Sequence, residues 1–228
     1  MTTSPFIVVF AVYNRVTQLD FTGPHEVFWR LPGAQCVVAS AAGGEIHADG
    51  GLTISNVQRL ADIPHADLIC VPGGFGVIEA MEDAEFVRQV RRLADGARYV
   101  TSVCSGSLVL GAAGLLQGKR AACHWAWRNL LPAFGATVDE ARVVRDGNLI
   151  TGGGVTAGID MALTVMADIA GAEHAQAVQL GIEYAPAPPF DCGRPERAAP
   201  EILEAVTSRL DRLRADRHDA VQRAAQRL

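Results

Sequence analysis

The first long hydrophobic feature of the chain is an unbroken apolar run, Phe6–Tyr13 (FIVVFAVY). Such a run shows no alternation and reads as a strand buried on both faces, as in a parallel sheet. Leu19–Leu31 (LDFTGPHEVFWRL) follows as a loop entering a helix. Gln35–Gly44 is a second strand ending in glycines, and Glu45–Asn56 reads as a hairpin or a pair of edge strands. Ala66–Gly74 (ADLICVPGG) is a third apolar strand, closed by Pro-Gly-Gly. Asp83–Gly96 has helical spacing, with an aspartate at its start and a glycine at its end. Ala97–Val103 is the next strand, and Gly106–Leu116 a helix of small residues.

Beyond Arg120 the pattern loosens. Ala121–Leu131 (AACHWAWRNLL) reads as a short strand or loop leading into a helical turn. Asp146-Gly147 sits between β-branched residues and signals a hairpin. Val155–Gly171 is a long apolar helix and Glu173–Tyr184 another; Ala185–Pro200 is a proline-rich loop. Glu201–Leu228 has the spacing of one long amphipathic helix. Strand and helix alternate through most of this series, which predicts an α/β fold with a doubly wound, mainly parallel sheet flanked by helices. Ligands of such sheets bind at the carboxyl ends of the strands, so the ends at Gly73, Cys104 and Gly152 are candidate site walls.

Length and composition narrow this picture. The 228 residues show no repeat, low-complexity tract or boundary, so one domain over 1–228 is expected, its C-terminal amphipathic helix starting at about 200. Residues are 49% hydrophobic and 20% charged, with a net charge of −5. No clustered Lys and Arg offer a nucleic-acid surface. The first apolar run lacks a basic leader and is too short to span a bilayer, so a cytoplasmic protein is expected, without membrane contact. The five cysteines, Cys36, Cys70, Cys104, Cys123 and Cys192, form no C-x-x-C pair and point to free thiols rather than disulfides or zinc.

The chemistry gathers around Cys104. Most free cysteines are buried and inert. Ser102-Val103-Cys104-Ser105-Gly106, however, has a small residue two before and two after the cysteine. This is the steric pattern of a nucleophile elbow, a sharp strand-to-helix turn that tolerates only small flanks. The thiol would stand at the N-terminus of the following helix, where free N–H groups and the dipole favour thiolate. Gly74, in Val71–Val77 (VPGGFGV), could aim its amide at the same place and pair with the Ser105 amide as an oxyanion hole. A tight turn is the plain alternative for these glycines, and no G-x-G-x-x-G is present to favour a dinucleotide. Asp20 is either a helix cap or a proton partner, and Glu26 either a solvated helix residue or the same. His124 is either a base for Cys104 or a packed histidine. Trp125 and Trp127 have packing roles open to them as well as a place in an apolar pocket.

The segments VPGG, TSVCSGSLVLGAAGLLQGKRA and the downstream Cys123-His124 resemble the DJ-1/PfpI superfamily, a branch of the class I glutamine-amidotransferase fold, over roughly residues 5 to 185. With LDFTGPHEVF and GGGVTAGIDMAL they look most like its isocyanide hydratases, and also resemble the sensor domain of some AraC-type regulators. The resemblance implies a DJ-1-like sandwich, a homodimer, and hydration of a small isocyanide (isonitrile) to an N-formamide through a cysteine-bound thioimidate, without cofactor or metal. Residue by residue, Cys104 matches the nucleophile and Asp20 the acidic residue facing it. Gly74 and Ser105 match the oxyanion-hole amides. Ser105 stands where hydratases often carry threonine, keeping the hydroxyl without the β-branch. Phe75 and Trp125 are expected to line the substrate pocket. His124 matches the histidine of protease-like members and stays outside the catalytic set. A glyoxalase-like or amidase-like enzyme and a non-enzymatic redox or ligand sensor are the alternatives. A DNA-binding regulator is disfavoured, because only a loop and one helix remain after residue 185.

Overall fold

The computed structural model describes residues 4–228; the first three residues of the N-terminal segment lie outside them. The first apolar run forms β1 (Phe6–Ala11), whose Val8–Ala11 are sealed from solvent. Helix α1 (Leu19–Phe28) leads to β2 (Ala34–Ser40), and β3 (Gly44–His47) and β4 (Thr53–Arg59) follow as the expected excursion. Then come β5 (Leu68–Val71), α2 (Val77–Glu82), α3 (Ala84–Gly96), β6 (Tyr99–Val103) and α4 (Gly106–Ala112). The remainder comprises β7 (Arg120–Ala121), β8 (Thr137–Val138), β9 (Val143–Asp146), β10 (Leu149–Gly152), α5 (Ala157–Ala170), α6 (Ala172–Gly181), α7 (Pro200–Leu213) and α8 (Arg217–Ala225).

Among the described residues, eight strands make one sheet in the order β3-β4-β2-β1-β5-β6-β10-β9. The pairings β4–β2, β2–β1, β1–β5, β5–β6 and β6–β10 are parallel; only the edge strands β3 and β9 run antiparallel. The Asp146-Gly147 turn is the hairpin between β9 and β10, with Gly147 at φ 66°. Helices α1, α5 and α6 pack together, as do α2, α3, α4 and α8. This is the doubly wound arrangement that the alternating pattern predicts.

Local signals explain individual elements. Asp83 caps α3 by accepting the Glu85 and Phe86 N–H groups, satisfying two orphan donors of the first turn. Gly23 on α1 faces Ile159, and Gly158 on α5 faces Pro24 and Val103; a Cβ at Gly158 would come within 2.9 Å of Pro24 Cγ. Those two glycines let α1 and α5 approach closely enough to clamp the strand that ends at Cys104. The C-terminal segment departs from expectation. It breaks at Arg214–Asp216 into α7 and α8 instead of running as one helix. Arg214 turns inward at the break and is only 3% exposed, so the chain changes direction to bury a charged side chain with its partners.

Candidate active site

β5, β6 and β10 lie side by side and parallel, so their carboxyl ends meet along one edge. Gly73, Cys104 and Gly152 stand at these ends, and the Cys104 N–H donates to the Gly152 carbonyl at 2.9 Å. Cys104 has φ 60°, a left-handed conformation that costs a non-glycine residue about 1–3 kcal/mol. The neighbouring residues enforce it. A Cβ at Gly106 would meet the Pro72 carbonyl carbon and oxygen at 2.8 Å, so the turn closes only with glycine there. Ser102 and Ser107 hydroxyls share a hydrogen bond of 2.8 Å, and Ser107 Oγ donates to the Ala122 carbonyl at 2.6 Å. Small hydroxyl residues thus tie the elbow to the segment that carries Cys123 and His124.

Asp20 reaches this edge from far away in sequence. After β1 the chain crosses to the end of β5, where Val16 bridges Gly74 and the Thr17 N–H donates to the Gly73 carbonyl at 2.9 Å. The first turn of α1 then places Asp20 fully buried. It caps nothing: its Oδ2 accepts the Gly73 N–H at 2.9 Å. The Cys104 thiol is near enough to the same carboxyl for each group to shift the other's titration. Asp20 Oδ1 is buried and has no hydrogen-bond partner among the described residues.

Three successive amides at the end of β5 are each claimed by a different side chain. Gly73 N–H donates to Asp20, Gly74 N–H to Ser105 Oγ at 3.1 Å, and Phe75 N–H to Asp49 Oδ2 at 3.0 Å. The Gly74 donor is therefore engaged by the Ser105 hydroxyl rather than free. The Ser105 N–H lowers the Cys104 thiol, in opposition to its burial. A Cβ at Gly73 would lie 2.6 Å from Ser105 N and Oγ and 2.8 Å from Asp20 Oδ2, so this glycine is where the carboxylate and the elbow touch. Tyr13, which the sequence pattern places only in a strand, donates its hydroxyl to the Pro72 carbonyl at 2.8 Å and braces the turn from below.

Electrostatics follow from depth. Burial raises Asp20 from the ordinary carboxyl value of 3.8 to about 7, against the lowering effect of the Gly73 N–H. Burial, then the adjacent Asp20 carboxyl, holds the Cys104 thiol well above its usual range. Burial opposes the thiolate expected at the start of α4, and this desolvation outweighs the Ser105 N–H. At neutral pH the thiol therefore keeps its proton, while the carboxyl, at about 7, stands near the middle of its titration.

An apolar cavity of about 150 Å³ opens on the sulfur, lined by Thr17, Phe75, His124, Trp127, Val155 and Leu210, with Gly74, Cys104 and Ser105 as its floor. Phe75 is where the sequence reading puts it. Trp125 is not; it lines a neighbouring cavity with Arg128 and Glu140. The turn closed by the Trp127 N–H on the His124 carbonyl, at 2.8 Å, brings Trp127 inward, and Trp125 stays half-buried outside. His124 borders both cavities. Burial lowers it to about 4, leaving it neutral, and its Nδ1 accepts the Ala126 N–H at 3.3 Å. No side-chain hydrogen bond joins it to Cys104 among the described residues. Glu26 is exposed and pairs with Arg30, which settles it as a surface residue. Cys70 is core and Cys36 half-buried, both raised by burial.

A left-handed cysteine on a strand-to-helix turn, at the carboxyl edge of a mainly parallel sheet, defines the class: α/β proteins of the elbow type. The chain belongs to the DJ-1/PfpI family, which residues 7–168 match. It is 48% identical over 219 residues to an isonitrile hydratase of Pseudomonas putida, covering 96% of each. Among solved structures it is similar to a ThiJ/PfpI family protein from Pseudomonas syringae, with a TM-score of 0.90 and 38% identity over 97% of this chain and 90% of the other. DJ-1beta of Drosophila melanogaster shares the fold, with a TM-score of 0.69 and 24% identity over 80% of this chain and all of that one. No helix among the described residues is long and apolar enough to cross a membrane.

Proposed function

We propose that this chain is an isonitrile hydratase, converting R–N≡C and water to R–NH–CHO with Cys104 as nucleophile. The observation that carries the reading is the buried Asp20 carboxyl, fixed by the Gly73 amide beside the elbow that carries Cys104, in a chain 48% identical to a hydratase over nearly its whole length. The isonitrile carbon must accept both a nucleophile and a proton. Sulfur bonds to that carbon, the thiol proton passes to Asp20, and Asp20 returns it to the same carbon, giving the thioimidate R–N=CH–S. A carboxyl of about 7 is matched to hold and release that proton near neutrality. Asp20 then takes a proton from water as it attacks the thioimidate carbon. Nitrogen is protonated, the C–S bond breaks, the hydroxyl proton returns to sulfur, and the formamide leaves. The first addition places charge on carbon rather than oxygen, so a proton donor matters more there than a free oxyanion hole, consistent with the Gly74 amide being engaged.

The apolar walls suit a weakly polar isonitrile, and the chemistry requires no metal or organic cofactor. A redox sensor fits less well, because sensing needs an accessible thiolate and this thiol is buried and raised. A homodimer and a cytoplasmic location with free thiols complete the reading; sedimentation of the purified chain checks the first. The deciding experiment mixes purified protein with cyclohexyl isocyanide and follows the formamide. Turnover that disappears in Cys104→Ala supports the reading. Absence of turnover, or full activity in Cys104→Ala, overturns it.

A further inference from the structure

The family match ends at residue 168, whereas similarity to the hydratase and to the P. syringae protein spans 96% and 97% of the chain. The C-terminal segment thus belongs to what this chain shares with those relatives beyond the family match, and it puts one side chain, Leu210 of α7, into the cavity above Cys104. Helix α7 buries none of its residues fully, so packing along its length does not hold it. The turn that follows does. Arg214 is 3% exposed, pairs with Glu79 at 3.0 Å and Asp216 at 2.9 Å, and donates to the Phe75 carbonyl. Arg217 donates to the Arg214 carbonyl at 3.3 Å, pairs with Asp211 at 2.6 Å, and lies 5.7 Å over the Trp127 ring. α8 anchors the turn through Ala220, Val221 and Ala224 against α2 and α4. Three of the cavity's apolar walls, Phe75, Trp127 and Leu210, are therefore joined by one turn.

We propose that Leu210 sets the size of the isonitrile substituent this site accepts, and that Arg214 and Arg217 are positioning residues that seat Leu210 over Cys104. The inference rests on the hydratase reading for its substrate. The floor of the cavity holds the reacting carbon at sulfur, so the substituent meets the outer walls, and Leu210 is the one supplied by the C-terminal segment. Truncating it lengthens the cavity towards α7; enlarging it fills the same space.

The test compares kcat/KM for isopropyl and 2-naphthyl isocyanide in wild type, Leu210→Ala and Leu210→Trp. The naphthyl-to-isopropyl ratio is expected to rise about tenfold in Leu210→Ala and fall about tenfold in Leu210→Trp, the usual scale for pocket-size discrimination. Arg214→Lys and Glu79→Gln are expected to move the ratio in the direction of Leu210→Ala; a purely structural role would lower both substrates alike and leave the ratio fixed. Glu79→Gln covers the case in which the Arg214 variant does not fold. In parallel, Cys104 alkylation by N-ethylmaleimide and by N-(1-pyrenyl)maleimide is followed by peptide mass. If no isonitrile is hydrated, the functional reading fails, and the alkylation ratios still decide Leu210. Ratios unchanged across both Leu210 variants overturn the inference.

Discussion

The buried Asp20 carboxyl and the Cys104 thiol shift each other's titration, with one carboxyl oxygen fixed by the Gly73 N–H at 2.9 Å and the other buried without a hydrogen-bond partner among the described residues. A buried polar atom left in this state is costly, and a catalytic role is one reason for such an atom to persist. Here the open oxygen is where a proton can arrive from sulfur and leave for substrate or water.

Asp20→Asn tests that role with little change in shape. The amide oxygen can still accept the Gly73 N–H, and a buried charge is no longer at issue, so the thermal midpoint should hold or rise. Proton transfer is lost, and kcat/KM for isonitrile hydration should drop by about 10²–10⁴, the range of general acid–base contributions. Parallel thermal melts and formamide assays check both halves. A normal rate would remove Asp20 from the mechanism.

The raised carboxyl also predicts two pH dependences. Between the ordinary 3.8 and about 7, folded Asp20 holds a proton that the unfolded chain has released. Its stabilising contribution is therefore fully present below 3.8 and is lost as pH rises through about 7. Chemical denaturation of wild type and Asp20→Asn from pH 4 to 8 should show a wild-type slope that the variant lacks. For activity, adding a second proton to the pair below about 7 removes the base that accepts the thiol proton. The kcat/KM profile should fall about tenfold per pH unit on that limb.

The parts of this site that the sequence makes readable are those whose cause is local. The β1 run, the Asp146-Gly147 hairpin and the small residues flanking Cys104 each satisfy a steric or periodic requirement within a few positions. Leu210 and Arg214 are different. An amphipathic pattern identifies an apolar face but not what the face meets, and no proline or glycine marks the break between α7 and α8. Trp125 and Trp127 sit in a segment without periodicity, so nothing local says which one turns inward. Thiol protonation depends on burial depth, which the elbow motif does not report.

Gly73→Ala places a methyl between the two halves of the site. Its Cβ would lie 2.6 Å from Ser105 Oγ and 2.8 Å from Asp20 Oδ2, so at least one must move. Overpacking of this kind costs about 1–3 kcal/mol of stability. The larger effect should be on rate, because either shift moves a group beside the elbow that carries the sulfur. A loss of more than about 10²-fold in kcat with the fold retained is expected, from misplacement of positioned groups. The circular dichroism spectrum and a kinetic assay of the same preparation separate the two effects. An active variant would show that the carboxyl and the elbow need not be held this closely.

His124 distinguishes hydration by a cysteine–aspartate pair from cysteine–histidine chemistry. It lines the cavity, yet burial holds it near 4 and its Nδ1 accepts a backbone N–H instead of serving the thiol. If Asp20 handles the proton, His124→Ala should alter the wall and affect mainly KM, with kcat within about tenfold of wild type, below the 10²–10⁴ contributed by a general base. A kcat loss as large as that of Asp20→Asn, with KM unchanged, would instead assign the thiol's proton to the imidazole and favour the amidase-like alternative. Measuring both variants on the same isonitrile and on a simple amide decides between them, since only the histidine-dependent enzyme should hydrolyse the amide.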